Sequence, residues 1–184
     1  MPAYPARVID TPLFVLTGIS ASGKTTIGRL LADSFPRSAF VEGDLVREMV
    51  RSGRVDMSPE PSEDALSQLL LRYRQAATLA MSFQDAGFAT VAEDVIIGDV
   101  LKDYLDVLRG RPVHLVVLAP TPETVHAREA ARNKTGYDTW AVTALNKILH
   151  EQTPRLGLWL DTSEQTPQET VAEILSRRAE SLIA

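Results

Sequence analysis

The chain has 184 residues, 45% of them hydrophobic and 23% charged, the composition of one folded domain, expected over residues 1–184, with a sizeable core. Its 24 acidic residues against 19 basic ones leave a formal net charge of −5, which argues against a broad nucleic-acid-binding surface. The absence of cysteine excludes disulfides, thiolate catalysis and cysteine-ligated zinc, and His114, His126 and His150 lack metal-ligand spacing.

Residues 1–11 read as a tail, because the first twelve positions hold three prolines and lack the apolar core of a signal peptide. No apolar run approaches the roughly 20 residues that span a bilayer, so a soluble, cytoplasmic protein is expected. A first strand is predicted over 13–17, and it runs directly into Gly18-Ile-Ser-Ala-Ser-Gly-Lys-Thr25 and a helix over 24–34. This pattern, G-x-x-x-x-G-K-[ST], reads as a phosphate-binding loop. Glycines let the backbone curl until successive N–H groups face one anion, and the helix N-terminus adds its dipole. The predicted nucleotide contacts are Gly18, Ser20, Ala21, Ser22, Gly23, Lys24, Thr25 and Thr26. Lys24 would reach the β- and γ-phosphates, and Thr25 would hold Mg²⁺.

A second strand over 39–41 ends in Glu42-Gly43-Asp44 and leads into a helix over 44–51 that carries Arg47 and Arg51. Residues just past the carboxyl end of a parallel strand border the ligand crevice. Asp44 is therefore the candidate catalytic group that takes or orients an acceptor hydroxyl's proton, with Arg47 beside it to bind the acceptor. The plain alternative is that Asp44 caps its helix. Residues 52–61, with Gly53, Pro59 and Pro61, form the main irregular stretch and are expected to be mobile near the substrate. A long helix follows over 63–86, with Leu66, Leu69, Leu70, Tyr73, Ala77 and Ala80 at helical spacing, Ser62 as N-cap and Gly87 as stop. Its apolar stripe is core.

The third strand, over 90–92, ends in Glu93-Asp94, two candidates for binding substrate or holding Mg²⁺ through water. Adjacent strand residues point to opposite faces, so the two do not share one role. Asp94 is favoured for the metal because it lies closest to the strand end, against the alternative of a helix cap or structural ion pair. A helix over 99–109 and a strand over 113–118 follow, with His114 as a packing residue. The next helix, over 122–133, carries Arg128 and Arg132 on one side, where their forks suit phosphate oxygens as charge moves. Gly136 and Tyr137 would let this segment close as a lid; a solvated basic face is the alternative. A helix over 139–151, a strand over 158–160 and a last helix from 167 complete the chain. The loop Leu160-Asp161-Thr162-Ser163 is placed to meet an adenine ring through backbone groups. Thr121-Pro122 and Thr166-Pro167 are capped helix starts, not a repeat.

Strands alternating with helices imply a parallel sheet with crossover helices. The motifs come in the order seen in small P-loop kinases. The chain most closely resembles the chloramphenicol phosphotransferase family, and more distantly gluconate kinase and adenylylsulfate kinase. The resemblance implies an α/β P-loop NTPase fold, nucleoside-monophosphate-kinase-like, with a five-stranded parallel sheet flanked by helices and a short lid. It also implies ATP and Mg²⁺, with transfer of the γ-phosphate to a hydroxyl of a small molecule. By the same resemblance Asp44 matches the catalytic base, and Arg128 and Arg132 match lid arginines. Residues 52–67, which would wall the acceptor pocket, are unlike that family, so the acceptor stays open between antibiotics, nucleosides and sugars. Neither nucleic acid nor membrane is an expected partner, and a homo-oligomer is left open. A nucleotide-dependent switch is disfavoured by the lack of an N-K-x-D motif, and a polynucleotide 5′-kinase by the acidic balance.

Overall fold

The computed structural model describes residues 11–58, 60–131 and 139–183. In chain order its elements are β1 (Leu13–Thr17), α1 (Lys24–Asp33), β2 (Ser38–Glu42), α2 (Gly43–Glu48), α3 (Glu63–Asp85), β3 (Ala89–Glu93) and α4 (Val100–Val107). Then follow β4 (Val113–Leu118), α5 (Pro122–Ala130), α6 (Thr139–Glu151), β5 (Leu158–Leu160), α7 (Pro167–Ser176), α8 (Arg178–Ser181) and β6 (Leu182–Ile183). Five strands run parallel in the order β2-β3-β1-β4-β5. Among the described residues, no helix is long and apolar enough to cross a membrane.

Side-chain alternation along the central strands divides the interior into two cores. Leu13 and Val15 of β1 join Val113, Leu115 and Val117 of β4, together with Tyr73, Ala76, Ala77 and Ala80 of α3. Phe14 and Leu16 point the other way, joining Val116, Leu118, Ile27 and Leu31 of α1, and Val171 and Ile174 of α7. The helices start where their caps say. Ser62 accepts from the Ala65 N–H at 3.1 Å, and Thr121 and Thr166 cap α5 and α7 with proline just inside. Gly87, in the left-handed region at φ 82°, turns the chain out of α3.

Three expectations are corrected. The sheet has a sixth strand, because β6 pairs antiparallel with β4 through Val113↔Ile183 and His114↔Leu182. The helix expected from residue 167 to the end is correspondingly broken at Arg177. The cause is His114, which stacks on Phe14 with ring centroids 4.8 Å apart. Its Nε2 accepts from Arg178 Nε at 3.1 Å, and its Nδ1 lies 3.0 Å from Ser181 Oγ. Clasping that ring draws the chain back across the sheet and ends the helix. The helix after β2 is also shorter than expected, ending at Glu48.

The carboxyl ends of β1 and β3 are tied together beneath the phosphate-binding loop. Thr17, fully buried, donates from Oγ1 to the Ile96 carbonyl at 2.8 Å and accepts from the Ile96 N–H at 2.9 Å. Thr17→Val would leave both Ile96 groups buried without partners. We expect it to cost about 1–3 kcal/mol in chemical denaturation, with unchanged stability counting against this tie.

Candidate functional site

The loop leaving β1 is shaped by close approaches that exclude side chains. A Cβ on Gly18, where φ is 147°, would lie 2.4 Å from the Leu118 carbonyl oxygen. Gly23, the N-cap residue of α1, supplies no side-chain cap, so a ligand is the natural partner for the helix's first N–H groups. Lys24 is 8% exposed, and its ammonium donates to the Ile19 carbonyl at 2.9 Å, inside the loop's curve. Ser20 and Thr25 are partly exposed, Thr26 is exposed, and Ala21 and Ser22 are buried.

Thr25 is joined to the end of β3. Its Oγ1 donates to Glu93 Oε1 at 3.0 Å, so Glu93, rather than Asp94, stands against the predicted metal-holding hydroxyl. The pleat explains the choice. Val91 belongs to the core on the α1 side and Ala92 to the core on the α3 side, so Glu93 falls with Val91 and Asp94 with Ala92. Burial raises the pKa of the Glu93 carboxyl, and the Lys24 charge and the Thr25 hydrogen bond offset this only in part. A hydroxyl and a carboxylate are hard oxygen donors of the kind Mg²⁺ takes alongside phosphate oxygens. Among the described residues, no group of three or more His, Asp or Glu side chains forms a protein-only cation site.

Asp94 faces the other way. Its Oδ1 accepts from Arg72 Nη2 at 2.6 Å and from the Val95 N–H at 2.7 Å. Burial raises its pKa, against the opposing pull of Arg72 and the Val95 N–H. Its Oδ2 presses on Gly43, where any Cβ would lie only 2.0 Å away, so glycine between Glu42 and Asp44 is a steric requirement. Arg72, 14% exposed, also brings Nη1 within 3.9 Å of Asp44 Oδ1. Asp44 is 66% exposed and lies in the first turn of α2, whose N-cap is Glu42, so it does not cap the helix. Arg47 stands 3.5 Å from Asp44 and donates to Asp56 at 2.8 Å. The irregular segment is held in place by Gln68, which donates to the Gly53 carbonyl and accepts from the Val55 N–H.

On the far side of the loop, Arg128 donates to the Thr162 carbonyl at 2.7 Å and to the Ser22 carbonyl at 3.3 Å. It thereby borders a pocket of about 90 Å³ lined also by Gly23, Thr26, Ile27, Gln165, Pro167 and Thr170. Arg132, Gly136 and Tyr137 lie outside the described residues. A larger hollow, about 320 Å³, runs along α3 past Glu63, Leu66, Leu70 and Arg74, so Leu66 and Leu70, expected in the core stripe, are instead exposed on the outer face of the helix. At 100° per residue those positions lie on the side of α3 opposite Arg72, away from the loop.

The geometry brings together Lys24, Thr25 and Glu93 on one side of the end of β3, and Asp44, Arg47, Arg72 and Asp94 on the other. Arg72 is absent from the sequence reading. Its signal was available: Ala65, Leu69, Arg72 and Ala76 recur at steps of four, three and four, placing one cation in an apolar stripe.

A central loop of this kind at the end of β1, on a parallel sheet wound in the order β2-β3-β1-β4-β5, defines a P-loop fold. Residues 13–155 match the AAA domain family, and the chain belongs to it. The fold is similar to that of a sugar kinase from Janibacter sp. HTCC2649 at 23% identity, covering 94% of this chain and 96% of that one, with a TM-score of 0.68. It is also similar to the tunicamycin resistance protein of Deinococcus radiodurans at 19% identity, with coverage of 95% and 99% and a TM-score of 0.66. A gluconokinase from Sinorhizobium meliloti 1021 matches at 18% identity, with 94% of each chain covered and a TM-score of 0.66. No curated protein matches the chain in sequence.

Because folding raises the Glu93 pKa, this carboxyl's favourable contribution is complete below its unfolded pKa and is lost as pH rises through the folded value. Ionised Glu93 thus costs stability at neutral pH. We expect Glu93→Gln to raise Tm near pH 7 and to give a smaller gain or none near pH 4. Thermal melts at the two pH values check this, and an equal gain at both would contradict the burial effect.

Proposed function

We propose that this protein is an ATP-dependent O-phosphotransferase that moves the γ-phosphate of ATP to a hydroxyl of a small molecule. The observation that carries the reading is the division at the end of β3, where one carboxylate meets the phosphate-binding loop and its neighbour meets Arg72 and Asp44. Donor and acceptor would then approach from opposite sides of one strand end. Likeness to a sugar kinase, a gluconokinase and a tunicamycin resistance protein supports sugars and antibiotics as first acceptors to try.

In the reaction, the acceptor oxygen forms a bond to the γ-phosphorus while the bond from that phosphorus to the β–γ bridging oxygen breaks, releasing ADP. The exposed Asp44 carboxylate orients the hydroxyl and takes its proton. Lys24 turns from the Ile19 carbonyl to the phosphates, where its charge offsets the negative charge that builds on the bridging oxygen. Thr25 and Glu93 would hold Mg²⁺, which supplies Lewis-acid neutralisation of phosphate charge when bound. This assignment replaces the sequence-based preference for Asp94, whose carboxylate is committed to Arg72 and Val95. Arg128, expected as a lid arginine on the moving phosphoryl group, is here assigned to the small pocket beside the loop, where it would line the nucleotide base with the backbone at Thr162.

The test is ADP release and product mass with Mg²⁺-ATP over a panel of antibiotics, nucleosides and sugars. Phosphorylation of nucleoside monophosphates on their phosphate, with no hydroxyl acceptor used, would replace this reading with a nucleotide kinase. With an acceptor in hand, we expect Lys24→Ala to lower kcat/KM by about 100-fold or more. Asp44→Asn should lower kcat by a comparable factor of about 100 while nucleotide binding, read by calorimetry, stays near native. Unimpaired turnover in Asp44→Asn would remove it from the chemistry.

A further inference from the structure

The acceptor side carries six ionised groups, three of each sign, joined in one chain of contacts. Arg54 Nε lies 3.6 Å from Asp56, Asp56 accepts from Arg47 at 2.8 Å, and Arg47 reaches Asp44 at 3.5 Å. Asp44 in turn is 3.9 Å from Arg72, and Arg72 is locked to Asp94 at 2.6 Å. Every arginine in this set therefore faces a carboxylate of the same protein. The set sums to zero formal charge. Asp94, 5% exposed, holds Arg72 through Nη2, so an anionic group on the acceptor would reach Nη1 only while approaching Asp44, and would meet a guanidinium whose charge a buried carboxylate already offsets. At Arg47 it would approach both Asp56, on Nη1, and Asp44, beside Nε. A neutral hydroxyl meets neither obstacle, since it donates to a carboxylate and accepts from a guanidinium without parting them. Leu45 of α2 and Met49 just after it, with Met57 next to Asp56, stand exposed on the same segments and offer apolar surface.

We propose that the acceptor is an uncharged polyhydroxyl compound, and that the Asp94–Arg72 and Asp56–Arg47 pairs disfavour anionic acceptors by offsetting the charge of the arginines that would otherwise bind them. The inference rests on the reading of this side as the acceptor side of a phosphotransferase.

The test uses the full chain with Mg²⁺-ATP and pairs of acceptors that differ by one anionic group: phenyl glucoside against 4-carboxyphenyl glucoside, which carry the same hydroxyls, and adenosine against adenosine 3′-monophosphate, which keeps the 5′-hydroxyl. For any pair that turns over, kcat/KM should favour the neutral member by about tenfold or more. Asp94→Asn and, separately, the more exposed Asp56→Asn should narrow that ratio by lowering KM for the anionic member. Because Asp56 is half exposed, its variant serves even where Asp94→Asn fails to fold. Native preference for the charged member overturns the inference while leaving hydroxyl phosphorylation standing, and so does a ratio that neither variant moves. Absence of turnover with both members of every pair and with every hydroxyl compound of the wider panel overturns the transfer reading itself, and this inference with it.

Discussion

The site depends on the pleat of one strand. Glu93 and Asp94 are adjacent, both almost fully buried, and committed by strand geometry to opposite faces. Register carries the consequence across the sheet. β3 pairs Glu93 with Leu16 on one side and with Glu42 on the other, so its end is level with the start of the loop and with the turn into α2. Glu93 then meets Thr25 at the root of α1, and Asp94 fits beneath Gly43 and meets Arg72 from α3. A one-residue slip would exchange the two carboxylates and strand each of them against the wrong helix.

Burying two carboxylates works against folding, and the structure answers each in a different way. Asp94 is neutralised by a guanidinium and by a backbone N–H, so removing either the aspartate or Arg72 would leave a buried charge costing about 3–5 kcal/mol. Glu93 has a hydroxyl donor and the nearby Lys24 charge, and burial raises the pKa of both carboxyls despite these partners. One carboxylate is held by an arginine. The other stands at the phosphate-binding loop, where incoming charge would change its surroundings, a pattern expected of groups kept for function at a cost in stability.

Most of the fold was legible because its signals are local. Apolar runs such as Leu13-Phe-Val-Leu, capping residues such as Ser62 and Thr166, and the glycine spacing of the loop each act over a few residues. The features that were not legible are contacts between distant segments. The break at Arg177 depends on His114, and the carboxylate that meets the loop depends on which core Val91 and Ala92 face. Parity alone separates Glu93 from Asp94, but assigning a side requires knowing where α1 and α3 lie. Arg72 is an intermediate case. Its position in an apolar stripe marks it as unusual, while its partners, 22 and 28 positions away in the chain, appear only in three dimensions.

The same reasoning bears on how the loop would trade partners. The Lys24 ammonium, nearly buried, donates to the Ile19 carbonyl, and Arg128 donates to the carbonyls of Thr162 and Ser22. A phosphate oxygen taking the ammonium would replace one acceptor with another, so the hydrogen bond itself adds little net free energy. The gain is electrostatic, because a charged acceptor replaces a neutral carbonyl in a site shielded from water. That gain is limited by Glu93, whose charge on the same side offsets the charge of Lys24. On the proposed reading, a bare triphosphate would meet a site close to neutral, and Glu93 makes its capture depend on a cation arriving with it.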